Sequence, residues 1–326
     1  MKLIIQIPCY NEEKDLPVTL EHLPKTLKGI DTIEVLIVDD GSTDRTVEIA
    51  RKEGVRHIVK MTNHKGLAEV FLNGLDASLH LGADIIVNTD ADNQYFGEDI
   101  QKLIDPILAG EADMVIGTRN IKDIEHFSFI KKRLQSLGSW VVRQLSGTRV
   151  PDTTSGFRAF SREAALRLNV VSKFTYTLET VIQAGKKNIA LTHVPIRTNK
   201  QLRKSRLFSS IPVYLKRSIF TITRIYALYE PLKIFLWVGG LLFGSGFLLS
   251  LRYLYFHLIK AGGHIQSLIL AAVLMIVGFQ MGMIGLLSDI ISTNRRLIEE
   301  MLYRIKKIEL SSCEESKTRP RNGKTS

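Results

Sequence analysis

Residues 34–44 read Glu-Val-Leu-Ile-Val-Asp-Asp-Gly-Ser-Thr-Asp, and this stretch decides the fold class. Val35 to Val38 form an unbroken apolar run rich in branched side chains, which predicts a strand buried on both faces. Asp39 and Asp40 end the run, Gly41 permits a turn, and Ser42 or Thr43 offers a cap for a helix over Asp44 to Glu53. Capping accounts for the hydroxyls but not for two adjacent carboxylates at a strand end.

The same alternation extends on both sides. Strands are predicted at Leu3–Ile7, Glu34–Asp39, Val55–Met61, Ile85–Thr89 and Met114–Gly117, with helices around Leu16–Leu27, Asp44–Glu53, Leu67–Leu81 and Ile100–Leu108. Non-alternating strands separated by helices predict an α/β fold, a mostly parallel sheet with helices on both faces. In such sheets ligands bind beyond the carboxyl ends of the strands. The polar residues that directly follow strands are therefore the ones to read for chemistry.

The chain has 326 residues, 45% of them hydrophobic, which is too apolar for a disordered protein. Two cysteines, Cys9 and Cys313, favour neither a disulfide framework nor a thiolate zinc site. The N-terminal MKLIIQIPCYNEE is too short in apolar residues to read as a secretory signal. The net charge of +11 is unevenly placed: residues 1–199 carry 25 basic and 26 acidic side chains, residues 200–308 carry 15 and 4. The excess coincides with long apolar runs, a pattern that fits anionic lipid and not nucleic acid.

Leu232–Leu251 contains one charge, Lys233, and Ile265–Ser288 contains none. About 20 residues at about 1.5 Å each cross a hydrocarbon core of about 30 Å, so a two-span hairpin is expected. Gly240–Gly244 and Gly278–Gly282 are Gly-x-x-x-Gly steps suited to close helix approach. Basic residues on both outer flanks place the catalytic domain and both termini on the cytoplasmic side. The expected boundaries are a catalytic domain over 1–206, interfacial amphipathic helices over 207–230, spans over 231–257 and 265–291, an amphipathic cytoplasmic helix over 293–310 and a disordered tail over 311–326.

The first strand runs into Pro8-Cys9-Tyr10-Asn11-Glu12-Glu13, which lacks the glycines of a dinucleotide fingerprint and disfavours hydride transfer. The fourth runs into Asp90-Ala91-Asp92-Asn93-Gln94. Two carboxylates one residue apart, with an amide nearby, form a hard-oxygen set suited to Mg²⁺ or Mn²⁺. Facing a diphosphate, such carboxylates call for a cation, because each close pair of like charges costs about 4 kcal/mol at an effective dielectric of 20.

PCYNE, VDDGSTD, DADNQ, GTR, DTTSGFRAF and KSRL, in this order, resemble the family 2 glycosyltransferases that make polyprenyl-phosphate sugars, such as dolichol-phosphate mannose synthases and undecaprenyl-phosphate glucosyltransferases. The resemblance covers roughly the first 210 residues, and the two apolar segments resemble those of multi-pass bacterial and archaeal members. It implies a GT-A, Rossmann-like domain followed by interfacial helices and a transmembrane hairpin in a bacterial or archaeal cell membrane. It also implies that Pro8, Tyr10, Asn11, Glu12, Asp39, Asp40, Asp90 and Ala91 line the nucleotide site and that Asp90, Asp92 and Gln94 hold the metal. Arg119 would reach a phosphate; Asp152, Ser155, Arg158 and Glu179 would form the acceptor side, with Arg203, Lys204, Ser205 and Arg206 meeting the lipid phosphate. Asp92, Arg119, Arg203 and Arg206 are thus the expected catalytic residues.

The implied reaction is inverting transfer from a UDP- or GDP-linked sugar to a polyprenyl phosphate. Some relatives are tetramers, so self-association is an open expectation. Three other readings compete, one of them a nucleotidyltransferase, which could use the same metal carboxylates but would need a Gly-rich phosphate loop after the first strand that is absent. A processive polysaccharide synthase shares the nucleotide motifs, yet its Gln-x-x-Arg-Trp signature is missing here. A membrane-anchored nucleotide-sugar-binding scaffold would need neither the acidic pair nor the acceptor-side arginines.

Overall fold

The computed structural model describes residues 1–119, 142–143, 146–148, 150–171, 176–199, 229, 231–259 and 265–318. The chain divides into two units, Met1–Ile222 with Leu302–Ser326, and Thr223–Met301.

In the first unit the strands are β1 (Lys2–Cys9), β2 (Thr32–Asp39), β3 (His57–Lys60), β4 (Ile85–Asn88), β5 (Met114–Thr118), β6 (Arg158–Ser161) and β7 (Leu191–Pro195). The helices among them are α1 (Leu16–Glu21), α2 (Thr46–Lys52), α3 (Leu67–His80), α4 (Ile100–Leu108), α5 (Arg162–Arg167) and α6 (Thr177–Lys186). The strands form one sheet in the order β3-β2-β1-β4-β6-β5-β7. β1 to β4 are mutually parallel, as are β5 and β7, whereas β6 lies antiparallel between β4 and β5. The mostly parallel sheet matches the expectation; β6 and β7 were not foreseen as strands. Arg158 opens β6 and β7 is only half-buried, so neither shows the apolar run that marks the central strands.

Burial explains the layering. On β1, Leu3, Ile5 and Ile7 pack on one face with Leu16, Ile100, Leu103 and Ile104, while Ile4 lies on the other. On that second face α3 approaches β1 and β2 closely at Gly74, where a Cβ would stand 2.6 Å from Gln6 Oε1 and 3.1 Å from Val38. The register Cys9↔Asp39 and Gln6↔Asn88 brings the carboxyl ends of β2, β1 and β4 side by side. Three loops rich in polar residues thereby share one sheet edge.

The second unit contains α7 (Pro231–Leu258) and the greater part of α8 (Ile265–Thr318). Both are long and apolar enough to cross a membrane, and only 11% and 17% of their most apolar windows are buried, unlike the core helices of a soluble fold. Trp237, Leu241, Leu248 and Phe279 point outward. The glycines that bring the two helices together are not the expected pairs. A Cβ on Gly239 would stand 2.7 Å from the Gly278 carbonyl oxygen, one on Gly246 2.7 Å from that of Ala271, and one on Gly285 2.8 Å from Phe235 Cβ, whereas Gly240, Gly244 and Gly282 face open space. An antiparallel seam repeats near 3.5 residues per turn, so close contacts recur seven apart, at Gly239/Gly246 and Gly278/Gly285. Gly278→Ile is therefore expected to unfold the hairpin, while Gly240→Ile leaves it intact; detergent-solubilised yield and monodispersity on gel filtration distinguish the two. Equal behaviour of both variants would refute this seam.

α8 also departs from the expected boundaries. It is one helix across 293–310, where a separate element was expected, and it continues to Thr318, into the stretch from 311 expected to be disordered. Its end, from Leu302, belongs to the first unit. There the Tyr303 hydroxyl donates to Glu163 (2.9 Å), Arg167 covers the Tyr303 ring at 4.9 Å, and Lys306 and Glu309 approach Asp76 and His80. The polar side of this amphipathic segment thus packs on α3 and α5. The expected interfacial helices over 207–230 lie outside the described residues apart from Tyr229.

Candidate active site

The loops after β1 and β2 are stitched into one surface. Asn11 adopts a left-handed φ of 56°, a conformation that asparagine tolerates better than most side chains. Its amide nitrogen donates to Ser42 Oγ (2.9 Å), and its side-chain oxygen accepts from the Thr43 amide (2.8 Å). The Glu12 amide donates to Thr46 Oγ1 (2.8 Å). Asp39, fully buried, accepts from the Ser42 amide with both oxygens at 3.3 Å. Pro8 stands in β1 opposite Val38, and Tyr10 is partly exposed with its ring 4.2 Å from that of His64.

Asp40 turns away from this surface. Its oxygens accept from the Lys65 amide (2.7 Å) and the Gly66 amide (3.0 Å), and His64 Nδ1 lies 2.8 Å away. Asp40 therefore shapes the turn before α3. Gly41 completes that fit, since its φ is 71° and a Cβ would stand 2.8 Å from the Asn63 carbonyl carbon.

The turn after β4 carries the acidic pair. Asp92 Oδ1 accepts from the Gln94 amide (3.2 Å), Asn93 has φ 52°, and the carbonyl of buried Ala91 accepts from Thr19 Oγ1 (2.8 Å). Asp90 faces Gly156, where a Cβ would lie 3.1 Å from both carboxylate oxygens, and it is hydrogen-bonded by Tyr95. Burial and the neighbouring Asp92 charge push the Asp90 carboxyl up to about 7, against the pull of Arg119 and Tyr95.

Arg119 follows β5 and grips Asp152 with two bonds, Nε to Oδ2 at 2.8 Å and Nη2 to Oδ1 at 3.2 Å, with Thr154 Oγ1 at 3.0 Å from Nη2. Burial opposes both charges, but each stabilises the other: the Asp152 carboxyl stays below its ordinary range and the Arg119 guanidinium is raised. With every carboxylate ionised, Asp90, Asp92, Asp152 and Arg119 sum to −2. Two neighbouring aspartate carboxylates, amid that net charge, suit a divalent hard cation. Among the described residues no cluster of three or more histidine, cysteine or acidic side chains forms a complete protein cage for a metal.

The expected acceptor-side residues turn out to be the frame of their loop. Arg158 is fully buried; Nε donates to the Ser155 carbonyl (2.7 Å), Nη1 to that of Thr177 (2.9 Å) and Nη2 to that of Thr153 (2.9 Å). Ser155 Oγ accepts from the Phe157 amide (3.3 Å), and Glu179, buried on α6, accepts from the Val171 amide (3.0 Å) and Gln183 Nε2 (3.2 Å). Arg203, Lys204, Ser205 and Arg206 lie outside the described residues.

Motif reading missed the layer beneath. Gln6 Nε2 donates to Asn88 Oδ1 (2.8 Å), and Asn88 Nδ2 donates to the Gly156 carbonyl (2.9 Å) and the Tyr176 hydroxyl (2.8 Å). The available signal was an amide side chain inside each of two apolar strands, since buried polar groups need partners.

This geometry agrees with what the chain is similar to. A UDP-N-acetylglucosamine–dolichyl-phosphate N-acetylglucosaminyltransferase of Methanococcus voltae is 32% identical over 214 residues, covering 59% of this chain and 83% of that protein. A dolichol-phosphate mannosyltransferase of Pyrococcus furiosus is 30% identical over 261 residues, covering 76% and 72%. Among solved structures, Mycobacterium tuberculosis glucosyl-3-phosphoglycerate synthase, crystallised with Mn²⁺, UDP and phosphoglyceric acid, shares the fold with a TM-score of 0.56 at 19% identity, covering 69% of this chain and 78% of that one. The family model for glycosyl transferase family 2 matches residues 4–168 and that for the GtrB C-terminal hairpin matches residues 230–293. The chain therefore belongs to glycosyl transferase family 2, a glycosyltransferase carrying a GtrB-type C-terminal hairpin.

Proposed function

We propose that this protein transfers a sugar, with inversion, from a UDP- or GDP-linked donor to a polyprenyl phosphate at the cytoplasmic face of a membrane. The observation that carries the reading is the shared edge of the sheet, where the loops with Asn11 and Asp39 adjoin the turn with Asp90 and Asp92. A nucleotide on the first pair presents its diphosphate to the second. The Methanococcus and Pyrococcus relatives, both named for transfer to dolichyl phosphate, support a lipid acceptor, as does the apolar hairpin.

In this reading Asp90, Asp92 and Gln94 hold Mg²⁺ or Mn²⁺. Such an ion would supply Lewis-acid stabilisation of the departing diphosphate. The acceptor phosphate has its second pKa near 6, so at neutral pH it is mostly dianionic and needs no strong general base. The chain's task is alignment and charge stabilisation. Arg119, fixed by Asp152, directs its remaining guanidinium edge to a phosphate, and Arg203, Lys204, Ser205 and Arg206 receive the acceptor.

The test is radiolabel transfer from a panel of UDP and GDP sugars into solvent-extractable lipid, using membranes that contain the protein. One donor is expected to label lipid, and excess EDTA is expected to abolish it. Label in solvent-insoluble polymer would refute the proposal in favour of a processive synthase, and undiminished transfer in EDTA would refute the metal assignment.

A further inference from the structure

Four residues lead from β7 towards the basic segment at 203–206, and they are fastened to the metal-binding turn. The Arg197 amide donates to Asp99 Oδ2 (2.7 Å), and its guanidinium donates to Asp99 Oδ1 (2.8 Å) and Glu98 (3.0 Å) while lying 4.7 Å over the Phe96 ring. Asp99 is fully buried, so this end of the strap is held firmly. Thr198 then forms an antiparallel bridge with Tyr95. Asn199 makes the closing contacts: its amide nitrogen donates to the Gln94 carbonyl (2.9 Å) and its Nδ2 to the Asn93 carbonyl (2.9 Å).

The two acceptors are consecutive carbonyls of the turn that presents Asp92 and Gln94. From within, Asp92 Oδ1 holds the Gln94 amide; from outside, Asn199 holds the carbonyls of Asn93 and Gln94. Asn93 is buried and left-handed, and a backbone carbonyl there needs a partner. The Arg197–Asp99 clamp secures the end of β7, and the Asn199 side chain adds a separate bond to the turn at the Asn93 carbonyl. What it fixes is the direction in which the turn faces.

We propose that Asn199 is a positioning residue that fixes the orientation of the turn carrying Asp92 and Gln94, and so tunes metal binding there. The proposal rests on the reading above of a metal-using transferase to a lipid phosphate.

The test uses the full-length protein and Asn199→Ala in detergent, with Mn²⁺ binding followed by electron paramagnetic resonance in the presence of UDP or GDP. Asn199→Ala is expected to melt with the wild type and to bind the nucleotide without metal as the wild type does. Its Mn²⁺ affinity is expected to fall about tenfold or more, the range for groups that orient metal ligands, and the Mn²⁺ concentration needed for half-maximal transfer is expected to rise in step. Asn199→Gln keeps an amide donor and is expected to lie between; it carries the comparison if the alanine variant does not fold. Mn²⁺ affinity within twofold of wild type, or a glutamine variant no better than alanine, would overturn the proposal. Because Mn²⁺ binding needs no turnover, a wild type that binds Mn²⁺ but forms no lipid product would sink the acceptor reading while the effect of Asn199 on the metal turn is still measured. A wild type that binds no Mn²⁺ would overturn both.

Discussion

Asp92→Asn is expected to lower sugar transfer at least about a hundredfold, with the melting temperature close to that of the wild type. The substitution is nearly isosteric, and the asparagine oxygen still accepts from the Gln94 amide, the bond that shapes the turn. What disappears is one negative charge from the acidic cluster of Asp90, Asp92 and Asp152. In the proposed site Asp92 would be a ligand carboxylate, which contributes more than an outer partner whose removal alone costs about 10- to 100-fold, and the ion would supply Lewis-acid stabilisation of the departing diphosphate. The measurement is the initial rate at saturating donor across a Mg²⁺ or Mn²⁺ titration, beside a thermal melt. A rate within threefold of wild type at all metal concentrations would remove Asp92 from the metal site.

The central strands could be read directly because they are buried on both faces: Val35–Val38 and Ile85–Val87 are apolar without a break. β6 could not, because Arg158 heads it, and a lone arginine in a sequence points to solvent or ligand before it points to a protein interior. The same ambiguity governs the site. Asp39, Asp90 and Asp92 stand at strand ends as topology demands, but a motif states which residue is present and not which way its side chain turns. Asp40 turns to the loop before α3 and Glu179 to the Val171 amide. In the hairpin, the Gly-x-x-x-Gly spacing was visible, but the antiparallel seam selects Gly239 and Gly246, which a four-residue pattern overlooks. Asn199 carries no local signal, since its partners are separated from it by about a hundred residues of sequence.

Arg158→Met tests the frame of the acceptor-side loop and is expected to destabilise the catalytic unit by roughly 3–6 kcal/mol. Methionine has comparable length and no donors, so it leaves the carbonyls of Thr153, Ser155 and Thr177 buried without the guanidinium. Each unsatisfied buried group costs about 1–3 kcal/mol. For a domain of this size a loss of about 3 kcal/mol lowers the melting temperature by roughly 10 °C. Burial pulls the Arg158 guanidinium down to about 10, which leaves it protonated at neutral pH, so all of its donors are present in the wild type. Arg158→Lys is expected to recover part of the loss, because an ammonium reaches fewer of the three carbonyls than a planar fork does. The loop it frames places Asp152 under Arg119 and the Gly156 backbone against Asp90, so transfer by the methionine variant should fall even at temperatures where it remains folded. The decisive readouts are the thermal melt and amide hydrogen exchange over residues 153–157. A methionine variant that melts within about 2 °C of wild type, with those amides still protected, would show that the loop stands without its buried arginine.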